Sequence, residues 1–148
     1  MLHQFPNIKA AFPNLDANNH IVTSPEDLNY NCIAWAVGEN DVWWWPDLML
    51  TRYWPEEIPR QETIDAFVQA FSLKGYSQCN DSGLEQGYEK IALFAINQTP
   101  THASRQLPSG HWTSKLGESF DISHQIDTLN GSAIYGSIAL YFRREITL

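Results

Sequence analysis

Two residues of this chain have both the side-chain type and the setting for nucleophilic chemistry, Cys32 and His102. Cys32 opens the run Cys32-Ile33-Ala34-Trp35-Ala36-Val37, which reads as a short buried helix that Asn29 or Asn31 can cap and Gly38 can end. A thiol at a helix start faces free backbone N–H groups and the positive end of the dipole. Both favour the thiolate, which is the nucleophilic form. An imidazole facing that thiol would hold a thiolate–imidazolium pair near neutral pH. His102 is the best placed of five histidines, on a strand some seventy residues later. His3 and His20 fall in an irregular start, His111 borders a turn, and His124 lies in a segment that reads as a short helix, Ser123 to Leu129.

The residues around His102 suggest its neighbours. Pro108-Ser109-Gly110 is a turn signal: proline presets the first turn position and glycine accepts positive φ. A three-residue loop there pairs Leu107 with His111 and Ser104 with Ser114. Strand alternation then puts His102, Ser104, Gln106, Trp112 and Ser114 on one face, with Ser114 diagonal to His102. Ser114 and Asp121 are the candidates for a third member that orients the ring. The oxyanion of an attacked carbonyl would be held by the Cys32 N–H, with Asn29 as a second donor. A metal centre built from His102, His111, His124 and Asp121 would need ligand spacings that no helical zinc motif here supplies. The glycines are isolated turn residues rather than a phosphate loop, so neither a metal nor an organic cofactor is expected.

The elements that must position these residues read in order. Two Phe-Pro steps, Phe5-Pro6 and Phe12-Pro13, keep residues 1–28 irregular or briefly extended. Pro59 to Lys74 carries Ile64, Phe67, Val68 and Phe71 on one helical face, and Gly75 stops it. Lys90 to Asn97 holds six apolar residues in a row and suits a strand covered on both faces. Thr101–Leu107 and His111–Leu116 form the hairpin, and Tyr135 to Arg143 closes the sheet. The expectation is one domain over 1–148 of α+β class, with helices over about 25–75 packed on an antiparallel sheet over about 88–144.

At 148 residues a folded chain buries enough surface to need no staples. Nine basic residues against seventeen acidic ones give a net charge of −8, which argues against a nucleic-acid or anionic-membrane binder. No basic start leads into an apolar run, and no apolar run approaches the ~20 residues of a membrane helix, so a cytoplasmic setting is expected. That setting keeps Cys32 and Cys79 reduced. The aromatic share is 13%, and Trp43, Trp44 and Trp45 stand together before Pro46. Alternate side chains of an extended segment face opposite ways, so three consecutive tryptophans cannot all point inward. With Trp112 on the His102 face, they are candidates for a substrate or partner wall.

Asn31-Cys32-Ile33-Ala34-Trp35-Ala36 resembles the nucleophile helix of papain-like cysteine peptidases. The His102 strand, tight turn and second strand are similar to the histidine hairpin of papain-like bacterial cell-wall amidases. The whole chain also resembles an uncharacterised bacterial family through Tyr30–Gly38, Trp43–Pro46 and Thr101–Gly117. The papain-like resemblance implies Cys32 as nucleophile, His102 as base and a papain-like fold. It departs at Glu26, where such peptidases often carry a glutamine six residues before the cysteine. The function expected is a cysteine hydrolase or acyl-transfer enzyme acting on a peptide or protein: a peptidase, amidase or deamidase. The alternative is a non-catalytic binding or immunity-type module that docks a protein through its aromatic loop.

Overall fold

The computed structural model describes residues 20–24, 30–39, 42–115, 121–132 and 134–146. Its body is a seven-stranded sheet in which every pairing is antiparallel. In chain order the elements are β1 (His20–Ser24), α1 (Cys32–Ala36), α2 (Ile64–Leu73), β2 (Ser77–Cys79), β3 (Tyr88–Ile96), β4 (Thr99–Gln106), β5 (Trp112–Lys115), β6 (Asp121–His124), a 3-10 turn (Ile126–Thr128) and β7 (Ser137–Glu145). In space the strands run β1-β6-β5-β4-β3-β7-β2.

This corrects the expected α+β, papain-like layering of N-terminal helices on a C-terminal sheet. The helices are only five and ten residues long, and the antiparallel sheet dominates. The sheet also recruits the N-terminal segment His20–Ser24, which pairs with β6. The physical reason is proline and aromatic content. Pro46, Pro55 and Pro59 deny the stretch between the helices a continuous N–H ladder, so Trp43–Tyr53 forms a loop closed by a Trp44–Tyr53 bridge. The helix expected from Pro59 begins only at Ile64, where the Thr63 side chain caps it by accepting the Ala66 N–H. The expected short helix over Ser123–Leu129 is instead the end of β6 followed by the 3-10 turn.

The six-residue apolar run lies in β3, flanked by β4 on one side and β7 on the other. Its alternate residues feed two cores. Ile91 and Leu93 join Ala103, Phe142, α1 and α2, where Phe67, Phe71 and Phe142 stack edge to face. Ala92 and Phe94 join Trp112, Ile122, Leu129 and Tyr135. Register shifts fall on both sides of Phe94, the residue paired with His102. Bulges of this kind bend a strand and re-aim its side chains.

Candidate active site

Asn31 sets up the start of α1. Its side-chain oxygen accepts the Ala34 N–H at 3.1 Å, which caps the helix. The same oxygen accepts the Trp44 N–H at 3.0 Å, and its amide donates to the Trp44 carbonyl at 2.6 Å. One buried side chain thus joins the cysteine helix to the tryptophan loop. Of the two candidate caps the structure uses Asn31, and Asn29 lies outside the described residues.

Cys32 is a free thiol with 7% of its surface exposed. Burial pushes its pKa from 9.0 up to about 11. The N–H groups of Ala103, Ile33 and Cys32 itself, and the cation of Lys115, pull the other way without overcoming burial. The helix start therefore supplies donors to the sulfur, but the resting group is the thiol. The Ala103 contact sets the sulfur against β4 at the residue next to His102, whose side chain points to the other face of the sheet. It is possible because β4 and β5 pair over only Arg105↔Thr113 and Gln106↔Trp112. Among the described residues, the stretch of β4 before Ser104 has no backbone partner on that side.

Hydroxyls and imidazoles fill this opening. Leu107 N–H bonds the His111 carbonyl, fixing the three-residue hairpin loop in the expected register. His102 Nε2 lies 3.0 Å from Ser114 Oγ, and Ser104 Oγ lies 2.7 Å from the same oxygen. Ser114 Oγ is also 2.7 Å from His124 Nε2, whose Nδ1 is 2.6 Å from the Gln125 carbonyl. All four side chains are buried. The His102 ring stacks on Tyr135, 3.9 Å between centroids and 8° from parallel, and meets Phe94 edge-on. Burial, and then the repulsion two protonated rings at His102 and His124 would feel, hold its pKa well below 6.5, so the imidazole is neutral. The Tyr135 phenol is raised by burial and next by repulsion from a Cys32 thiolate.

The other candidates are placed as follows. Asp121 opens β6, paired with Lys115. Trp44 is core, donating from Nε1 to Glu39 at 3.0 Å. Trp45 is half-buried against Phe67, and Trp43 lies half-buried beneath the Arg52 guanidinium. Trp112 is buried in the second core. Sequence reasoning missed His124 and Tyr135 as neighbours of His102. A strand reading of Asp-Ile-Ser-His would have put Ile122 and His124 on one face. No comparable signal marked Tyr135, which lies in the turn before β7. Among the described residues no group of three His, Cys, Asp or Glu could hold a metal ion, and no helix is long and apolar enough to cross a membrane.

Fold and site together define an antiparallel-sheet domain with a thiol at a capped helix start against one face of β4 and a buried imidazole–hydroxyl chain on the other face. The chain belongs to a family described as a domain of unknown function, DUF7689, whose model matches residues 21–143. That span contains both helices, all four members of the polar chain and the tryptophan loop. No curated protein and no solved structure matches the sequence.

Proposed function

We propose that the protein is a cysteine-dependent hydrolase or acyl-transfer enzyme acting on a peptide or protein amide or thioester. The observation that carries the reading is the position of Cys32. Its sulfur is met by N–H groups of α1 and of β4, one residue from a histidine whose ring is fixed by a hydroxyl and a stacked phenol. Buried polar groups are costly unless they are partnered, so four of them gathered on the strand whose opposite face meets a thiol make a candidate site. The local resemblance of Asn31–Ala36 to a cysteine-peptidase nucleophile helix supports the same assignment, and a cytoplasmic setting would keep the thiol reduced.

The chemistry follows from the protonation states. Thiol and imidazole are both neutral at rest, so His102 acts as a general base rather than as half of a standing ion pair. As the sulfur–carbon bond forms, the thiol proton passes to His102 on the other face of β4, around the strand edge that β5 leaves unpaired. As the bond to the leaving amine or thiol breaks, His102 returns that proton to the leaving group. Water then attacks the acyl-sulfur carbon and gives one proton to His102; the carbon–sulfur bond breaks, the carboxylic acid leaves and ionises in solution, and the thiolate takes the proton back from His102. The N–H groups around the sulfur are the donors available to the oxyanion.

The test uses a Cys79→Ser background and p-nitrophenyl acetate together with short peptidyl thioesters, read by intact mass. The folded chain should acylate at Cys32 faster than the urea-unfolded chain at the same pH. His102→Ala should slow it by about 100-fold. Equal rates folded and unfolded, or no effect of His102→Ala, overturn the reading.

One observation favours the second reading, a binding module. Leu48 and Met49 are over 80% exposed and Leu50 72%, on a loop tip that Asp47 fastens by accepting from Thr51, Arg52 and Arg60. A firmly held apolar tip suits protein docking. Partner binding that survives Cys32→Ala and is lost in Leu48→Ser/Met49→Ser would favour this module over the hydrolase.

A further inference from the structure

We infer that His124, acting through Ser114, fixes which nitrogen of His102 carries the proton and leaves Nδ1 of His102 as the bare basic atom of the site. The catalytic consequence rests on the hydrolase reading above. The proton arrangement does not.

The inference is a count of hydrogens. The Gln125 carbonyl can only accept, so His124 Nδ1, 2.6 Å away, carries a hydrogen. His124 is 1% exposed, and burial favours its neutral ring, in which the other nitrogen is then an acceptor. Ser114 Oγ lies 2.7 Å from it, and its single hydrogen is committed there. With that hydrogen spent, Ser114 Oγ can only accept from its remaining neighbours. The Ser104 hydroxyl at 2.7 Å donates to one lone pair, and His102 Nε2–H at 3.0 Å donates to the other. His102 Nδ1 is left without a hydrogen. It is also a buried atom with no hydrogen-bond partner. A buried lone pair without a donor carries a standing desolvation cost that no hydrogen bond offsets.

The three polar partners come from three strands: Ser104 from β4, Ser114 from β5 and His124 from β6. The Gln125 carbonyl follows directly on β6, so the sheet register itself sets the polarity of the chain. His124 touches no reacting atom in this scheme. It is a positioning residue, and Ser114 is the link through which it acts.

The test begins with the wild-type full chain, labelled with nitrogen-15, in a long-range proton–nitrogen correlation spectrum at neutral pH. The two rings should show opposite tautomers. His124 should carry its hydrogen on Nδ1, the minor form of free imidazole, and His102 should carry its hydrogen on Nε2. The same tautomer in both rings, or a hydrogen on His102 Nδ1, overturns the inference whatever the variants do.

Two variants then test the consequence. His124→Gln keeps an acceptor for the Ser114 hydroxyl, and His124→Leu removes it. Acylation of Cys32 by p-nitrophenyl acetate should fall about tenfold or more in His124→Leu and recover substantially in His124→Gln, with His102 again on Nε2. Equal loss in both variants, with both folded by circular dichroism, overturns the positioning role. Opposite tautomers in a wild-type chain that never acylates would leave the proton arrangement standing and remove the hydrolase reading instead.

Discussion

Cys32 and His102 are both held in their neutral forms by burial, and this has consequences at both ends of the pH scale. His102 binds a proton less readily folded than unfolded. Its contribution to stability is complete above 6.5 and is lost as pH falls below that value, at a limiting slope of about 1.4 kcal/mol per pH unit. Cys32 keeps its proton more firmly folded than unfolded. Its contribution is complete below 9.0 and is lost as pH rises from there towards about 11, at the same limiting slope. Urea midpoints measured across pH should therefore fall on both sides, and Cys32→Ala should flatten the alkaline limb alone. Iodoacetamide should alkylate folded Cys32 slowly at pH 8, with a rate that climbs towards pH 11. Rapid labelling at pH 6 would contradict the buried-thiol geometry.

At the scale of elements, α1 is too short to stand alone and depends on its cap and its neighbours. Asn31 serves both, so Asn31→Ala leaves the Ala34 N–H and two Trp44 backbone groups without their partner. The expected loss is about 2–4 kcal/mol in chemical unfolding, with a rise in Trp exposure read by acrylamide quenching. The turn before β7 has a comparable weak point. Gly136 has φ +75°, and a Cβ there would run into the Ala95 carbonyl and the Ile96 side chain. Gly136→Ala should cost about 2 kcal/mol or more and disturb the neighbouring Tyr135 stack on His102. A stable, unperturbed variant would show that the close approach of this turn to β3 is absent in solution.

On the whole molecule, the sheet separates two cores and the helices contribute to only one. Charge is handled at the periphery: Arg143 pairs with Glu85, Arg144 with Glu89, and Lys90, though buried, with Asp81 at 2.9 Å. The Leu48–Leu50 tip is the most exposed apolar segment among the described residues. Leu48→Ser/Met49→Ser should leave the melting temperature within about 2 °C, since surface changes away from packed features are nearly neutral. It should also shorten retention on a hydrophobic-interaction column. A large fall in melting temperature would mean that the tip is packed rather than exposed.

Local physics made several features legible from the chain alone. The Phe67–Phe71 helical face, the six-residue apolar strand and the Pro-Ser-Gly hairpin with its Leu107–His111 register were all readable. Each rests on periodicity or turn chemistry within a dozen residues. The asparagine cap and the His102–Ser114 contact follow from the same short-range rules. Only the tertiary structure decided that β1 joins β6, that β3 sits between β4 and β7, and that His124 and Tyr135 close around His102. It also decided that Cys32 is a buried thiol rather than a standing thiolate. A helix start favours the anion, but the desolvation that opposes it comes from residues distant in sequence, and no local pattern encodes how completely they close over the sulfur.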